Sequence, residues 1–233
     1  MSQATADPAS LLILSGGVGS RSKHHEPKQF YELSGHPLVA HTVIAAVRLD
    51  QIDEIVINAP EGYEERTRQI MEHYSGGKPF SVVPAGKTRQ QSSRILAHAA
   101  KNEVLILHEA ARPFVTRDMF VGLLESAHHN VGYFFDIPFS MCRIDRETNK
   151  ITKGVSRDKV FNVQLPQKFS KSVLLEAHRK AAKKSKIYTE DAVMVVRNTS
   201  ADVHALPGTS RNRKITTQED FLVAEQIMKK LVE

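Results

Sequence analysis

A single cysteine, Cys142, is all the thiol in this 233-residue chain, and tryptophan is absent altogether. One cysteine excludes an intrachain disulfide and any zinc site built on several thiolates. Aromatic residues make up only 6% of the chain, which leaves no basic–aromatic interleaving of the kind that binds single-stranded nucleic acid. No apolar run approaches the ~20 residues that a membrane span needs. The opening stretch, MSQATADPAS, has neither a basic flank nor an apolar core, so it reads as a tail and not as a secretory signal. These absences point to a soluble, cytoplasmic protein that partners neither nucleic acid nor membrane.

What the chain does carry is a basic surplus, with a formal net charge of +6 and a pI near 9.4. Such a surplus suits an anionic partner, and a phosphorylated metabolite is one. The densest basic run, Arg179 to Lys186, has few aromatics and reads as a solvated helix face. The length is within reach of one domain with one core, so residues 1–233 are taken as a single domain.

Short apolar runs alternate with longer amphipathic ones. Leu11 to Leu14 is a continuous apolar run that ends before Gly16-Gly17, as expected of a buried strand feeding a functional loop. Strands are predicted at 54–58, 80–83, 104–107 and 202–206, and helices at 37–47, 61–74, 90–100, 117–128, 170–184 and 217–231. This order predicts an α/β fold: a Rossmann-like, mostly parallel sheet with helices on both faces. Between residues 138 and 166 the alternation fails, and turn residues separate short strand-like pieces, which predicts a protruding β-arm. Ligands of such sheets bind beyond the carboxyl ends of the strands, so the loops after Leu14, Val83 and Leu107 should share one cleft.

The first of those loops reads Ser15-Gly16-Gly17-Val18-Gly19-Ser20-Arg21 and continues to Lys28. Its glycines let backbone N–H groups come close to phosphates. Glycines alone fit an ordinary tight turn, but Arg21 and Lys28 at the loop's mouth fit a triphosphate better. The dinucleotide fingerprint fails at Ser22, where a third Gly or Ala is required, which disfavours a dehydrogenase. Gly86-Lys87-Thr88 imitates the end of a P-loop, but Ser81 stands where that motif has its first glycine.

The order of motifs resembles the cytidylyltransferases that act on methylerythritol 4-phosphate, and their relatives that act on ribitol 5-phosphate. The residues that carry the resemblance are Gly16 to Arg21, Pro27 to Phe30, Gly86 with Arg89 and Ser92, and His108 to Pro113. They continue with Pro166 to Phe169, Thr189 to Asp191 and Asn212 to Thr217. The resemblance implies transfer of CMP from CTP to a small phosphorylated polyol, with release of pyrophosphate. It implies a Mg²⁺ cofactor and a homodimer whose arm, residues 138–166, serves dimerisation and acceptor contact. Ser15, Gly16, Gly17, Gly19, Gly86, Arg89, Ser92 and Ala110 would then bind the nucleotide. Arg21, Lys28 and Lys214 would be catalytic, Arg112 and Arg157 would grip the acceptor, and Glu109 would bind the metal.

The chemistry suits these residue types. An acceptor phosphate is already anionic at neutral pH, its second pKa being about 6, so it needs no general base. The protein must bring two anions into line and stabilise the added charge, which calls for Lys, Arg and Mg²⁺. Structural readings stand beside the functional ones: Arg112 as an ion-pair partner, Arg157 as a cap on the arm, Lys214 as a surface lysine. The sequence also departs from the family pattern. Glu109 replaces an Asp, Met141-Cys142 replaces an Asp-Thr pair and Leu165 replaces a Thr. These departures predict a preserved CTP half and an altered acceptor pocket, with pentitol, glycerol and sugar phosphates or phosphonates as further candidates. A non-catalytic nucleotide-binding module is the main rival reading.

Overall fold

The structure is a computed structural model and describes residues 7–17 and 26–232. Its organising strand is β1 (Ala9–Leu14), which lies between β6 (Val104–Glu109) and β4 (Ile52–Ala59) and runs parallel to both. Side chains alternate along a strand, and here the alternation feeds two cores. Leu11 and Ile13 pack with Ile55, Ile57 and Ile106 against one helical layer: α1 (Leu38–Ala46), α2 (Glu64–Tyr74) and α4 (Arg117–Glu125). Leu12 packs with Val56, Leu105 and Leu107 against the other layer: α3 (Arg89–Ala99), α5 (Lys171–Lys183) and α6 (Asp191–Asn198). A continuous apolar run is what a strand covered on both faces requires, and each fully buried Leu or Ile contributes about 1.5–3 kcal/mol.

The remaining strands of the main sheet are β5 (Phe80–Pro84), β7 (Val131–Asp136), β10 (Phe161–Ser170) and β11 (His204–Pro207). The seven-stranded order is β11-β7-β10-β6-β1-β4-β5, with β10 antiparallel to both of its neighbours and every other pairing parallel. Two short strands, β2 (Glu32–Leu33) and β3 (His36–Pro37), pair antiparallel ahead of α1. The predicted α/β class, the mostly parallel sheet and its two-sided helical cover are all present.

The arm is a hairpin of β8 (Met141–Ile144) and β9 (Ile151–Val155), paired antiparallel. Asp145 Oδ1 accepts the backbone N–H groups of Glu147 and Thr148 and closes its turn. The predicted limit at residue 166 runs past the free part of the arm, because β10 begins in the arm and continues into the middle of the sheet. Gln164 and Leu165 are therefore already buried. The last helix, α7 (Gln218–Val232), starts as expected at Thr217: Asp220 N donates to Thr217 Oγ1, and Asp220 Oδ2 accepts Thr217 N. Ala224 of this helix packs with Ile215, Leu33 and Phe114, and so seats the 212–216 segment near the carboxyl end of β6.

Candidate active site

Register decides which loops meet. Leu14 is opposite Glu109 at the ends of β1 and β6, and Ala59 is opposite Pro84 at the ends of β4 and β5. The loops that follow these strands therefore open on the same edge of the sheet. Gly16 approaches the loop after β5 so closely that a Cβ there would lie 2.3 Å from Ala85 Cβ. A Cβ on Gly86 would lie 2.8 Å from Ser92 N, and the Gly86 N–H donates to Ser92 Oγ at 3.0 Å. Only glycine fits at both positions. Thr88 caps α3 by accepting Gln91 N at 3.1 Å, which places the helix's N-terminal N–H groups beside the cleft.

The cleft so formed has a volume of about 660 Å³, and Ser15, Gly16, Gly17, Lys28, Gly86, Arg89, Ser92, Glu109, Ala110 and Lys214 all line it. Gly19 and Arg21 lie outside the described residues. Gln29, buried, donates to Ser15 O at 2.5 Å and fixes the glycine loop from behind, while Ser15 Oγ is buried with no hydrogen-bond partner among the described residues. Sequence reasoning passed over Pro60, Glu61, Lys87 and Thr216, which also line the cleft. Lys87 and Thr88 belong to the motif that failed as a P-loop; they line the cleft without forming that motif.

Lys28 and Lys214 come from opposite ends of the chain and converge on one segment. Lys28 Nζ donates to Ile215 O at 2.7 Å, and Ile215 N donates to Ala111 O at 2.8 Å. Lys214 Nζ donates to Glu109 Oε2 at 2.5 Å. The other oxygen of that carboxylate, Oε1, accepts Arg112 Nε at 2.6 Å, and Arg112 Nη1 reaches Asn212 O at 2.8 Å. Glu109 is only 6% exposed. Burial pushes its pKa up, but Lys214 and Arg112 outweigh burial and hold it down at about 2. Arg112, expected at the acceptor, is thus largely buried and committed to Glu109 and Asn212, although it also borders a second cavity.

Arg89 is drawn into an acidic pair that the sequence did not connect with it. Its Nη1 bonds Asp191 Oδ2 at 2.5 Å, and Nη2 stands 3.9 Å from Glu190 Oε1. Gln167 Nε2 holds Glu190 at 2.9 Å, and Ser93 Oγ donates to Asp191 Oδ1 at 2.8 Å beside buried His178. Burial works against the Arg89 charge, yet Asp191 and Glu190 raise its pKa overall. Two motifs far apart in sequence are in this way one buried network at the start of α3.

A second cavity, about 1230 Å³, opens between the base of the arm, the 210–216 segment and α7; Lys214 and Thr216 line both cavities. Arg157 is not brought to either one. It is exposed on the arm, where its Nη1 donates to Pro138 O at 2.9 Å. Met141 is half-buried and Cys142 exposed on β8, whereas Leu165 is packed in the core with its carbonyl accepting Asn212 Nδ2 at 2.6 Å. Leu165 is a core residue here and not a lost acceptor contact. Among the described residues no group of three or more His, Cys, Asp or Glu side chains is placed to hold a metal.

Residues 9–230 match a family model described as IspD, 2-C-methyl-D-erythritol 4-phosphate cytidylyltransferase. The chain is similar to the 2-C-methyl-D-erythritol 4-phosphate cytidylyltransferase of Clostridium botulinum strain 657, with 34% identity over 225 residues, 95% of this chain and 98% of the relative. Among solved structures it resembles the enzyme of that name from Thermus thermophilus, with a TM-score of 0.77, 26% identity, and 95% and 99% of the two chains covered. The 4-diphosphocytidyl-2C-methyl-D-erythritol synthase of Anaerococcus prevotii shares the fold, with a TM-score of 0.83 at 24% identity over 96% and 97% of the two chains.

Proposed function

The chain belongs to the 2-C-methyl-D-erythritol 4-phosphate cytidylyltransferase family, and from that premise we propose how its site performs the reaction. It transfers CMP from CTP to 2-C-methyl-D-erythritol 4-phosphate and releases pyrophosphate. The observation that carries the division of labour is that two cavities meet at Lys214. CTP occupies the smaller one, with its phosphates against the Ser15–Gly17 backbone, Lys28 and the start of α3, and its base and ribose toward Gly86 and Ser92. The acceptor enters through the larger one. An oxygen of its phosphate attacks the α-phosphorus of CTP, a new P–O bond forms, and the bond to the β-phosphate oxygen breaks.

No general base is called for, because the attacking phosphate is ionised near pH 7. His108 is no candidate either, since burial lowers its pKa to about 4 and it bonds the Arg112 carbonyl. What the reaction needs is charge stabilisation at the α-phosphate, and Lys28 and Lys214 supply it from two sides of the 212–216 segment. Mg²⁺ is taken as part of the nucleotide substrate, since phosphates and water satisfy most of its octahedron. The one carboxylate expected to seat it, Glu109, has each oxygen engaged by a cation.

The arm is read as the dimerisation element, and Arg157 as a residue that serves the neighbouring copy's acceptor cavity. Support comes from its unburied apolar side chains: Phe139 is 74% exposed and Ile151 is 71% exposed. A single unpaired cysteine on that arm suits a reducing compartment such as the cytoplasm. The reaction is tested with acceptor whose phosphate carries ¹⁸O. Phosphorus NMR of the product should place label in the oxygen bridging the two phosphates. Label absent from the bridge overturns the attack described here.

A further inference from the structure

Glu109 stands where the family resemblance puts a metal ligand, yet its surroundings describe a different task. A magnesium ion needs a carboxylate oxygen that can turn toward it in a near-ideal octahedron. Here Oε2 accepts Lys214 Nζ at 2.5 Å and Oε1 accepts Arg112 Nε at 2.6 Å. A divalent cation on either oxygen would be set against both of these positive charges. The side chain is also not free to swing away, since it is 6% exposed and Arg112 is anchored in turn to Asn212 O at 2.8 Å.

Lys214, by contrast, has the freedom that Glu109 lacks. Its side chain is 41% exposed, and a long lysine in such a setting samples many rotamers. Its backbone is steadied by Ile215, whose N–H donates to Ala111 O at 2.8 Å and whose carbonyl accepts Lys28 Nζ at 2.7 Å. That leaves the Glu109 carboxylate as the contact that aims the ammonium group at the junction of the two cavities. We infer that Glu109 is a positioning residue, which holds Lys214 where the α-phosphate reacts, and that it does not ligate the metal ion of the nucleotide. The inference rests on the reading of Lys214 as a catalytic residue.

The test is a double-mutant cycle on the full chain with CTP, Mg²⁺ and 2-C-methyl-D-erythritol 4-phosphate. Glu109→Gln should lower kcat about 10²-fold, the loss typical of one misplaced electrostatic group, while KM for CTP stays within about threefold. Because Glu109 acts through Lys214, the double variant Glu109→Gln/Lys214→Ala should be no slower than Lys214→Ala. Multiplying effects, or an unchanged kcat in Glu109→Gln, overturn the inference. A second readout needs no turnover: Mn²⁺ affinity for the enzyme–CTP complex, followed by electron paramagnetic resonance without acceptor, should match between wild type and Glu109→Gln. A loss of about tenfold or more, the scale on which losing a metal-site contact registers, identifies a ligand instead. Should Glu109→Gln fail to fold, a crystal structure of wild type with Mg²⁺ and CTP decides: the carboxylate is found on Lys214, or it is found on the metal and the inference fails. If Lys214→Ala keeps full kcat, the failure lies in the reading of the lysine itself, which the multiplying outcome leaves intact.

Discussion

The nucleotide cleft and the arm are built from opposite materials. The cleft is assembled from loops that pack on and bond one another: Gly16 packs closely on Ala85, while Gly86 bonds Ser92, Gln29 bonds Ser15 and Lys28 bonds Ile215. Two of the charged groups that line it, Glu109 and Arg89, are held by Lys214, Arg112 and Asp191, and Glu109 is buried. The arm is a two-stranded hairpin with apolar side chains in water, and the exposed Arg157 donates to the carbonyl of Pro138. A two-stranded hairpin of this kind is marginally stable without something to pack on. The contrast fits the proposal that one chain builds the CTP half of the site and that a neighbouring copy finishes the acceptor half: the cleft is closed by contacts within the chain, and the arm leaves Phe139, Ile151 and Arg157 exposed.

The largest effect that sharpens this contrast is on the cleft side. Lys28→Ala should lower kcat about 10³-fold, since it removes a preorganised cation from the reacting phosphate. Circular dichroism should be unchanged, because the residue is only half-buried. Retained turnover, measured by pyrophosphate release, would take this lysine out of the mechanism.

On the arm side the expected loss is smaller and falls on a different constant. Arg157→Ala should raise KM for the acceptor about tenfold and leave KM for CTP unchanged, as expected for one lost charge-assisted phosphate contact. Mixing Lys28→Ala with Arg157→Ala subunits then separates the two halves. If the arm acts in the neighbouring site, a mixed dimer has one site carrying both lesions and one intact site, so activity returns. If each chain is self-sufficient, every site in the mixture carries one lesion, and with acceptor below its KM the activity stays no higher than the Arg157→Ala subunits supply alone. The second result breaks the comparison.

The smallest effect is on stability against acid. Burial lowers His108 to about 4 and His178 likewise to about 4, from an ordinary value of 6.5. The unfolded chain therefore binds more protons between those values, and stability falls as pH drops from 6.5 toward 4. Glu109, lowered from 4.5 to about 2 by Lys214 and Arg112 against the opposing effect of burial, extends the decline below pH 4.5. Urea unfolding midpoints should show this slope, and it should become shallower between pH 6.5 and 4 in His108→Asn. An unaltered slope would mean that His108 is not one of the groups whose protonation opposes folding.

How far the sequence disclosed this arrangement depended on whether the chemistry was local. The glycine loop, Lys28, Gly86 and Ser92 lie in short runs at strand ends, and strand order then forces them together. The β-arm was legible as a break in alternation. The strand at Val131–Asp136 and the helix at Asp191–Asn198 were not, being short and adjoining irregular stretches. Pairings such as Ser93 with Asp191, or Glu109 with Lys214, span about a hundred residues and leave no spacing to read. Leu165 misled for a related reason. A family position that carries a hydroxyl suggests a ligand contact, but here the side chain is buried in the core.

One measurement bears most directly on the whole account: steady-state pyrophosphate release by the purified chain with CTP and Mg²⁺, compared across phosphorylated polyols. Turnover is predicted with 2-C-methyl-D-erythritol 4-phosphate, with kcat/KM exceeding those for ribitol 5-phosphate and glycerol 3-phosphate by about 100-fold or more, the scale on which a hydrogen-bonding site discriminates. Binding of CTP without release on any acceptor, or a higher kcat/KM on another polyol phosphate, would contradict it.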